Sequence, residues 1–113
     1  MFENLIKEAV TKGVKIPPAT LKKMRREVSN HMTPNYFDSI GATLDDIDNI
    51  LQKYGYMLVD VDGSAFEAIF LGEDGSTTIH IGDMDGNFTQ VMLSVSWHKM
   101  ERSRKWELVI YVT

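Results

Sequence analysis

The spacing of hydrophobic and polar positions changes near the middle of the chain. Up to residue 55, apolar residues recur at intervals of three and four, the period of an amphipathic helix. From Tyr56 onward, apolar and polar residues alternate, as in strands with one buried face. The pattern predicts one α+β domain over residues 1–113, with three to four N-terminal helices (1–55) packed on one face of a five-stranded antiparallel β-meander (56–113).

Four segments carry the helical period. The apolar stripes at 2–10 and 21–32 predict the first two helices. A short turn or helix is expected at 34–40. The clearest signal is the last, in which Thr43 is expected to cap the helix and Gly55 to end it.

Turn signals divide the second half of the chain. Asp-Gly pairs at 62–63, 74–75 and 85–86 separate runs rich in β-branched and aromatic residues, which favours hairpin turns. The last hairpin, around Glu101-Arg102, has no glycine, so we expect a loop of four or more residues there. The predicted strands are 56–61, 65–71, 77–82, 88–98 and 105–112.

The faces of these strands can be assigned by parity, because a slip of one residue exchanges them. Two-residue turns at the first two Asp-Gly pairs place apolar residues opposite each other, as in Val59 with Phe66. A two-residue turn at Asp85-Gly86 would turn Val91 to the wrong side, so that loop is expected to have an odd length or a bulge. The predicted inner face consists of Met57, Val59, Phe66, Ala68, Phe70, Ile79, Ile81, Val91, Leu93, Val95, Leu108, Ile110 and Val112.

The opposite, outer face is predicted to hold a semi-apolar band. Ile69, His80, Met92 and Tyr111 should form a row across four strands, flanked by Val109. Such a band on a face that the helices leave uncovered is a candidate surface for a protein partner. The alternatives are that another helix covers it, or that scattered apolar residues simply face water.

Charge is unevenly distributed in this chain, whose formal net charge is −4. The middle, residues 34–90, is strongly acidic and has Lys53 as its one base. Basic residues are concentrated in the second helix and the last hairpin, and on one side of the fold they would make a surface suited to phosphates. These candidate nucleic-acid-binding residues are Lys22, Lys23, Arg25, Arg26, Arg102, Arg104 and Lys105.

Two resemblances bear on partners. The segment 43–58, TLDDIDNILQKYGYML, resembles the closing helix of small helix-turn-helix repressors, which implies a DNA-binding regulator. The preceding residues depart from that family, because Thr33-Pro34 and Tyr36-Phe37 stand where its compact turn and recognition helix would lie. Helices followed by an acidic antiparallel sheet are also similar in outline to the small uracil-DNA glycosylase inhibitors that mimic DNA, a likeness of fold that does not by itself imply function.

Motifs for catalysis or cofactor binding are missing from the sequence. The segments 60–63 and 83–86 have the D-x-D-G core of a calcium loop but lack the remaining ligands, and hairpin turns account for them. His80 and His98 should lie roughly 20 Å apart on the sheet, too far to share an ion. There is no cysteine, no nucleophile elbow and no phosphate-binding loop. We therefore expect no catalytic residue, no metal and no cofactor.

The sequence favours a non-enzymatic protein-binding module, an inhibitor or adaptor of the phage-like, mobile-element type that acts on a host protein. A nucleic-acid-binding transcriptional regulator is the alternative, and a small enzyme ranks third. The lack of cysteine favours a cytoplasmic setting, and no apolar run approaches the roughly 20 residues of a membrane span. The expected partner is another protein, with nucleic acid as the alternative and self-association into a homodimer left open.

Overall fold

The computed structural model describes residues 14–59, Gly63, Glu67 and 74–113. The elements in this part of the chain are α1 (Pro18–His31), β1 (Tyr36–Phe37), α2 (Ile40–Gln52), β2 (Tyr56–Val59), β3 (Gly75–Asp83), β4 (Phe88–Lys99) and β5 (Trp106–Val112). The strands form one antiparallel sheet in the order β1-β5-β4-β3-β2. The α+β class with an antiparallel sheet is thus confirmed. Neither described helix has the length and apolar character needed to cross a membrane.

The prediction of three to four helices is wrong for the described residues, which form two. The segment 34–40 does not make a helix of its own. Tyr36 and Phe37 instead pair with Glu107 and Trp106 of β5 as a short edge strand. Aromatic residues suit a strand when a partner is at hand, and that partner lies far away in sequence. The first predicted helix, at 2–10, lies outside the described residues.

Helix α2 begins earlier than the sequence predicts. Its cap is Ser39, which has an extended backbone and whose side-chain oxygen accepts the N–H of Ala42 at 3.2 Å. Thr43, the predicted cap, lies one turn inside the helix and donates its hydroxyl to the Ser39 carbonyl at 2.7 Å. Both residues are good caps in isolation, and the burial of Ile40 against the core favours the earlier start.

The strand set also differs from the prediction. β2 pairs directly with β3, with Val59 opposite His80. The predicted partner of Val59, Phe66, lies outside the described residues. Glu67, in the middle of the predicted strand 65–71, is helical, and its N–H donates to the Gly63 carbonyl at 3.0 Å. The prediction of a strand is therefore wrong at Glu67, because strand formation depends on distant partners as well as on a local turn signal.

The second Asp-Gly pair is likewise not the predicted hairpin tip. Gly75 is the first residue of β3 and lies opposite Trp97 of β4. A Cβ atom at Gly75 would lie 3.0 Å from the Trp97 ring. This glycine therefore provides room for a buried indole.

The inner face is confirmed on the three long strands, where the alternate apolar residues are buried. They are Ile79, Ile81, Val91, Leu93, Val95, Leu108, Ile110 and Val112, joined by Trp97. On β2 the predicted parity is reversed, since Leu58 lies opposite Ile81 and packs on the core while Met57 lies opposite Gly82. The reversal follows from the register in which β2 pairs with β3. The remaining predicted members, Phe66, Ala68 and Phe70, lie outside the described residues.

The loop between β3 and β4 has the predicted odd length. The Asp83 N–H donates to the Asn87 carbonyl at 2.9 Å, which leaves three residues in the loop, and Gly86 has a φ of 86°. The register also shifts between His80 and Gly82, as in a β-bulge. The odd length of the loop keeps Val91 on the inner face with Ile79, and the shift at the bulge, which is two residues, does not change that face.

The last hairpin has the predicted long loop. The Met100 N–H donates to the Lys105 carbonyl at 2.9 Å, so four residues separate the closing pair. Val95 lies opposite Ile110, whereas the sequence predicts Leu108. A shift of two residues leaves every side chain on its predicted face, because the alternation has a period of two.

The two helices cover the inner face and are tied to each other. Glu27 of α1 accepts from Lys53 Nζ at 2.7 Å and from the Tyr54 hydroxyl at the end of α2. These contacts, Lys53 first, lower the pKa of Glu27, and the carboxylate raises the pKa of Tyr54. Asp48 of α2 accepts the N–H of Leu58 at 2.9 Å, which fixes β2 beneath α2.

Helix α1 runs antiparallel to β5. Before the helix, the N–H of Ile16 donates to the Gln90 side chain at 3.3 Å. Gln90 lies on β4, three residues before Leu93, which pairs with Val112 at the end of β5. After the helix, the Asn35 carbonyl accepts the N–H of Leu108, near the start of β5. Met24 and Val28 of α1 are buried against the sheet between these two points.

We predict that Gly82→Ala destabilises the fold. The new Cβ would lie 2.7 Å from Val59 Cγ2 and 3.0 Å from the Asn87 carbonyl oxygen, so either β2 or the β3–β4 loop must move. The expected loss is about 1–3 kcal/mol in urea unfolding. Gly41→Ala is the control, since its Cβ would meet nothing closer than 3.9 Å and should stabilise α2 by up to about 1 kcal/mol. Equal unfolding midpoints for the two variants would contradict the packing described for Gly82.

Candidate functional site

The outer face of the sheet lies on the side away from the helices. Strand register arranges its side chains in rows that cross the sheet. In order along the strands, these rows are Tyr36–Glu107–His98–Asp74, Val109–Ser96–Ser76, Tyr111–Ser94–Thr78 and Thr113–Met92–His80–Val59.

Hydroxyl groups occupy the centre of this face. They line a shallow depression of about 370 Å³, and the contributing outer-face residues are Ser76, Thr78, Ser94, Ser96 and Tyr111. Each hydroxyl can both donate and accept a hydrogen bond. The depression can therefore receive polar groups of either kind from a ligand.

Large apolar and aromatic side chains border the depression along β1 and β5. Tyr36, Val109 and Tyr111 are 48%, 47% and 55% exposed. Such exposure is unusual for side chains of this size and leaves their apolar surface free for contact. The face thus combines a polar centre with an apolar border.

One end of the face is held by Asp74. Its carboxylate accepts the backbone N–H of Lys99 at 2.8 Å and lies 2.6 Å from the His98 Nδ1. The Lys99 bond, followed by the His98 bond, lowers the pKa of Asp74. Both side chains are more than half exposed, so the pair is solvated. Its structural effect is to tie the start of β3 to the end of β4.

The other end of the face is built around His80. Its ring stacks on Phe88 with centroids 4.8 Å apart, and Met92 lies opposite it on β4. The nearby Asp83 carboxylate accepts the N–H groups of Asn87 and Asp85 within the loop, and these bonds, Asn87 first, lower its pKa. Among residues 14–59 and 74–113, no three His, Asp or Glu side chains are grouped so that they could hold a metal ion.

The structure brings together part of the predicted outer row. His80 and Met92 are opposite each other, but Tyr111 lies opposite Ser94 and Val109 opposite Ser96, one and two rows away. The difference is the two-residue shift of the last hairpin. Ile69 lies outside the described residues, and Val59 is the neighbour of His80 on β2.

Sequence reasoning missed two parts of this face. Tyr36 belongs to a strand, whereas the sequence predicts a short turn or helix at 34–40. Thr78 lies near the start of the predicted strand 77–82 and Ser76 lies just before it, and neither was given a role, although their alternation with Ile79 places them outward. The alternation could have identified the serines and threonines, whereas no local signal marks Tyr36.

The predicted basic residues do not form one patch. Exposed side chains in the middle of α1, near the end of β5, are those of Lys22, Lys23, Arg25 and Arg26. Arg102, Arg104 and Lys105 are exposed in the loop that precedes β5. The two groups therefore lie at opposite ends of the seven-residue β5, a separation on the order of 20 Å.

Comparison of the chain with protein-family models, with curated proteins and with solved structures found no match. The basis for a proposed function is therefore the geometry of the chain itself.

We predict that the Lys99 amide resonance follows the titration of Asp74. Because its pKa is lowered in the folded chain, the bond is complete above the ordinary value of 3.8 and is lost as pH falls through the lowered value. An NMR pH titration should give a midpoint below 3.8, and Asp74→Ala should remove the transition. Asp85→Ala, a matched change in the exposed β3–β4 loop, should leave it in place. A midpoint at or above 3.8 would contradict the described bond.

Proposed function

We propose that this chain is a non-enzymatic protein-binding module, of the inhibitor or adaptor kind, whose outer sheet face contacts the partner. The observation that carries the proposal is the border of exposed Tyr36, Val109 and Tyr111 around a depression lined with hydroxyls. Tyrosine is enriched in binding sites, because one ring supplies apolar area and a hydrogen-bonding group.

The composition of the face favours specific recognition. Tyrosine loses little conformational entropy on binding, and serine supplies adaptable hydrogen bonds, a combination that antibody binding sites also use. Here those residues project from paired strands, which hold their spacing fixed. Ser94 and Ser96 lie on β4, the strand whose inner residues Leu93 and Val95 are fully buried. Because the paired strands already fix the positions of these residues, the face loses little conformational entropy when a partner binds.

The shape of the face also favours binding over catalysis. The Asp74–His98 pair resembles a base with its orienting carboxylate, but it stands on an open surface, more than half exposed. Reaction centres generally exclude water, which strengthens electrostatic interactions with the transition state. An open, hydroxylated face is better suited to contact with a second protein surface.

The outer-face proposal predicts that Tyr111→Ala and Ser96→Arg weaken partner capture. The first removes an aromatic contact, and the second fills the central depression. Each should cost about 2 kcal/mol of binding, or roughly thirtyfold in affinity, if these residues lie at the centre of the interface. The measurement is affinity capture from source cells with mass spectrometry, followed by titration of the captured protein.

Met92→Asp and Met84→Asp form the matched control pair for this experiment. Met92 lies on the outer face, whereas Met84 is exposed in the β3–β4 loop. Only the first should weaken capture, and circular dichroism should show that both variants remain folded. An unchanged set of partners in Tyr111→Ala, Ser96→Arg and Met92→Asp would rule out this face as the contact surface.

A nucleic-acid-binding regulator is the second candidate. The observation in its favour is that Lys22, Lys23, Arg25 and Arg26 are all exposed, and within the described ranges none of them forms an ion pair. Four unpaired cations on two turns of helix are available to phosphates.

The regulator proposal predicts retention of the chain on immobilised DNA that falls linearly with salt on a double logarithmic plot. Lys22→Glu/Arg26→Glu should abolish retention, because it replaces two phosphate contacts with repulsion. Arg102→Glu/Lys105→Glu, on the distant loop, serves as the charge-matched control. If DNA binding is undetectable even at low salt, this candidate fails.

A further inference from the structure

Strand β5 has an incomplete outer edge. In an antiparallel pair, the N–H and C=O groups of every second residue point to the same side. The Leu108 N–H points away from β4 and donates to the carbonyl of Asn35, the residue before β1. The Thr113 N–H points to β4 and donates to the Met92 carbonyl. By this alternation, the backbone groups of Ile110 and Val112 point away from β4, toward the edge.

The short strand β1 does not reach those groups. It pairs with Trp106 and Glu107, and the ladder continues only to Leu108. Pro34, which precedes Asn35 in the chain, has no N–H that could donate to β5. At Thr33 the chain has already turned into the helix, since its N–H donates to the Asn30 carbonyl at 3.4 Å. In the described part of the chain, the edge groups of Ile110 and Val112 therefore have no strand beside them.

A groove runs along this edge. It has a volume of about 210 Å³, and its walls are the end of α1 (Ser29, Met32 and Thr33), Asn35 and residues 108–111 of β5. Exposed sheet edges with unpaired N–H and C=O groups are templates for another strand. A groove between an edge strand and a helix is a site where extended peptides are bound by strand addition.

The helical wall of this groove is basic. Arg25 and Lys22 precede Ser29 by four and seven residues, so they lie on the same flank of α1, and both are exposed. Lys23 precedes Glu27 by four residues and lies on the flank that faces α2. Since α1 runs along β5, Lys22 and Arg25 stand beside the Val112 end of the edge. Positive charge on that wall favours a segment with acidic side chains.

We propose that the groove between β5 and α1, the β5–α1 groove, binds an extended acidic segment of another protein as an additional strand of the sheet. Backbone groups of the segment pair with those of Ile110 and Val112. Its acidic side chains face Lys22 and Arg25, and the intervening side chains contact Val109 and Tyr111. The site goes beyond the outer-face proposal, because it recognises a main chain at the edge of the sheet.

The test is a titration of the isotope-labelled full-length chain with a capped nonapeptide of alternating valine and glutamate. We expect the amide resonances of Ile110 and Val112 to shift and their hydrogen exchange to slow, because both gain hydrogen bonds. The same peptide with lysine in place of glutamate should bind about tenfold more weakly or not at all.

Single N-methylation of the peptide distinguishes strand pairing from contact between side chains. Only every second amide of an added strand donates to β5. N-methylation should therefore abolish binding at alternate positions and be tolerated at the positions between them. This arm leaves the protein unaltered, so loss of folding cannot account for the result.

Charge variants test the helical wall. Lys22→Glu/Arg25→Glu should weaken binding of the glutamate peptide about tenfold. Lys23→Glu, on the flank that faces α2, should change it less than about twofold. Ser96→Arg, on the outer face, should leave the titration unchanged, so that failure of the outer-face proposal is separable from failure of this one.

Several results would overturn the proposal. One is the absence of shifts at Ile110 and Val112 with either peptide. Another is binding that tolerates N-methylation at every position, or shifts confined to outer-face residues such as Ser94. A third is a dimer in sedimentation without peptide whose Ile110 and Val112 amides are already protected, which would identify a second copy of the chain as the occupant.

Discussion

Strand β4 is the central constraint of the molecule, because it pairs with β3 along one edge and β5 along the other while its inner side chains are buried under the helices. Those buried residues are Val91, Leu93, Val95 and Trp97. Side chains on a strand alternate between faces, so this burial forces Met92, Ser94, Ser96 and His98 outward. The chemistry of the outer face is thus a direct consequence of how the core is packed.

That alternation holds across β3 and β4 because the loop between them has three residues. The bulge that follows shifts the register by two residues and leaves the faces unchanged. Thr89 is buried at the bulge, and its hydroxyl donates to the Ile81 carbonyl at 2.6 Å. The bond satisfies a polar group in a place where the regular ladder is interrupted. With a two-residue loop, Val91 would face water and Met92 the core.

The two proposed contact surfaces meet along β5 but use different chemistry. The outer face offers side chains, chiefly hydroxyls and exposed rings. The β5–α1 groove offers backbone groups and a basic helix wall. Tyr111 lines both, and Val109 lines the groove. The groove exists because α1 covers the inner face of β5 while β1, with two residues, pairs with only the beginning of its edge.

How far the sequence predicts this structure depends on how local each signal is. The alternation in β3, β4 and β5 was enough to assign the inner face correctly, and the position of Val91 was enough to require an odd loop after Asp83. These conclusions hold because parity and turn chemistry act over a few residues. The start of α2 was less predictable, since Ser39 and Thr43 are both suitable caps and burial of Ile40 favours the first.

The sequence by itself determined which residues of the three long strands face inward, and hence most of the chemistry of the outer face. Only the tertiary structure decided that β2 pairs with β3, that Tyr36 and Phe37 form an edge strand, and that the basic residues fall into two separate groups. The physical reason is that strand pairing and helix placement depend on burial between residues far apart in the chain. The residue pattern of a short segment does not indicate which distant segment will pair or pack with it.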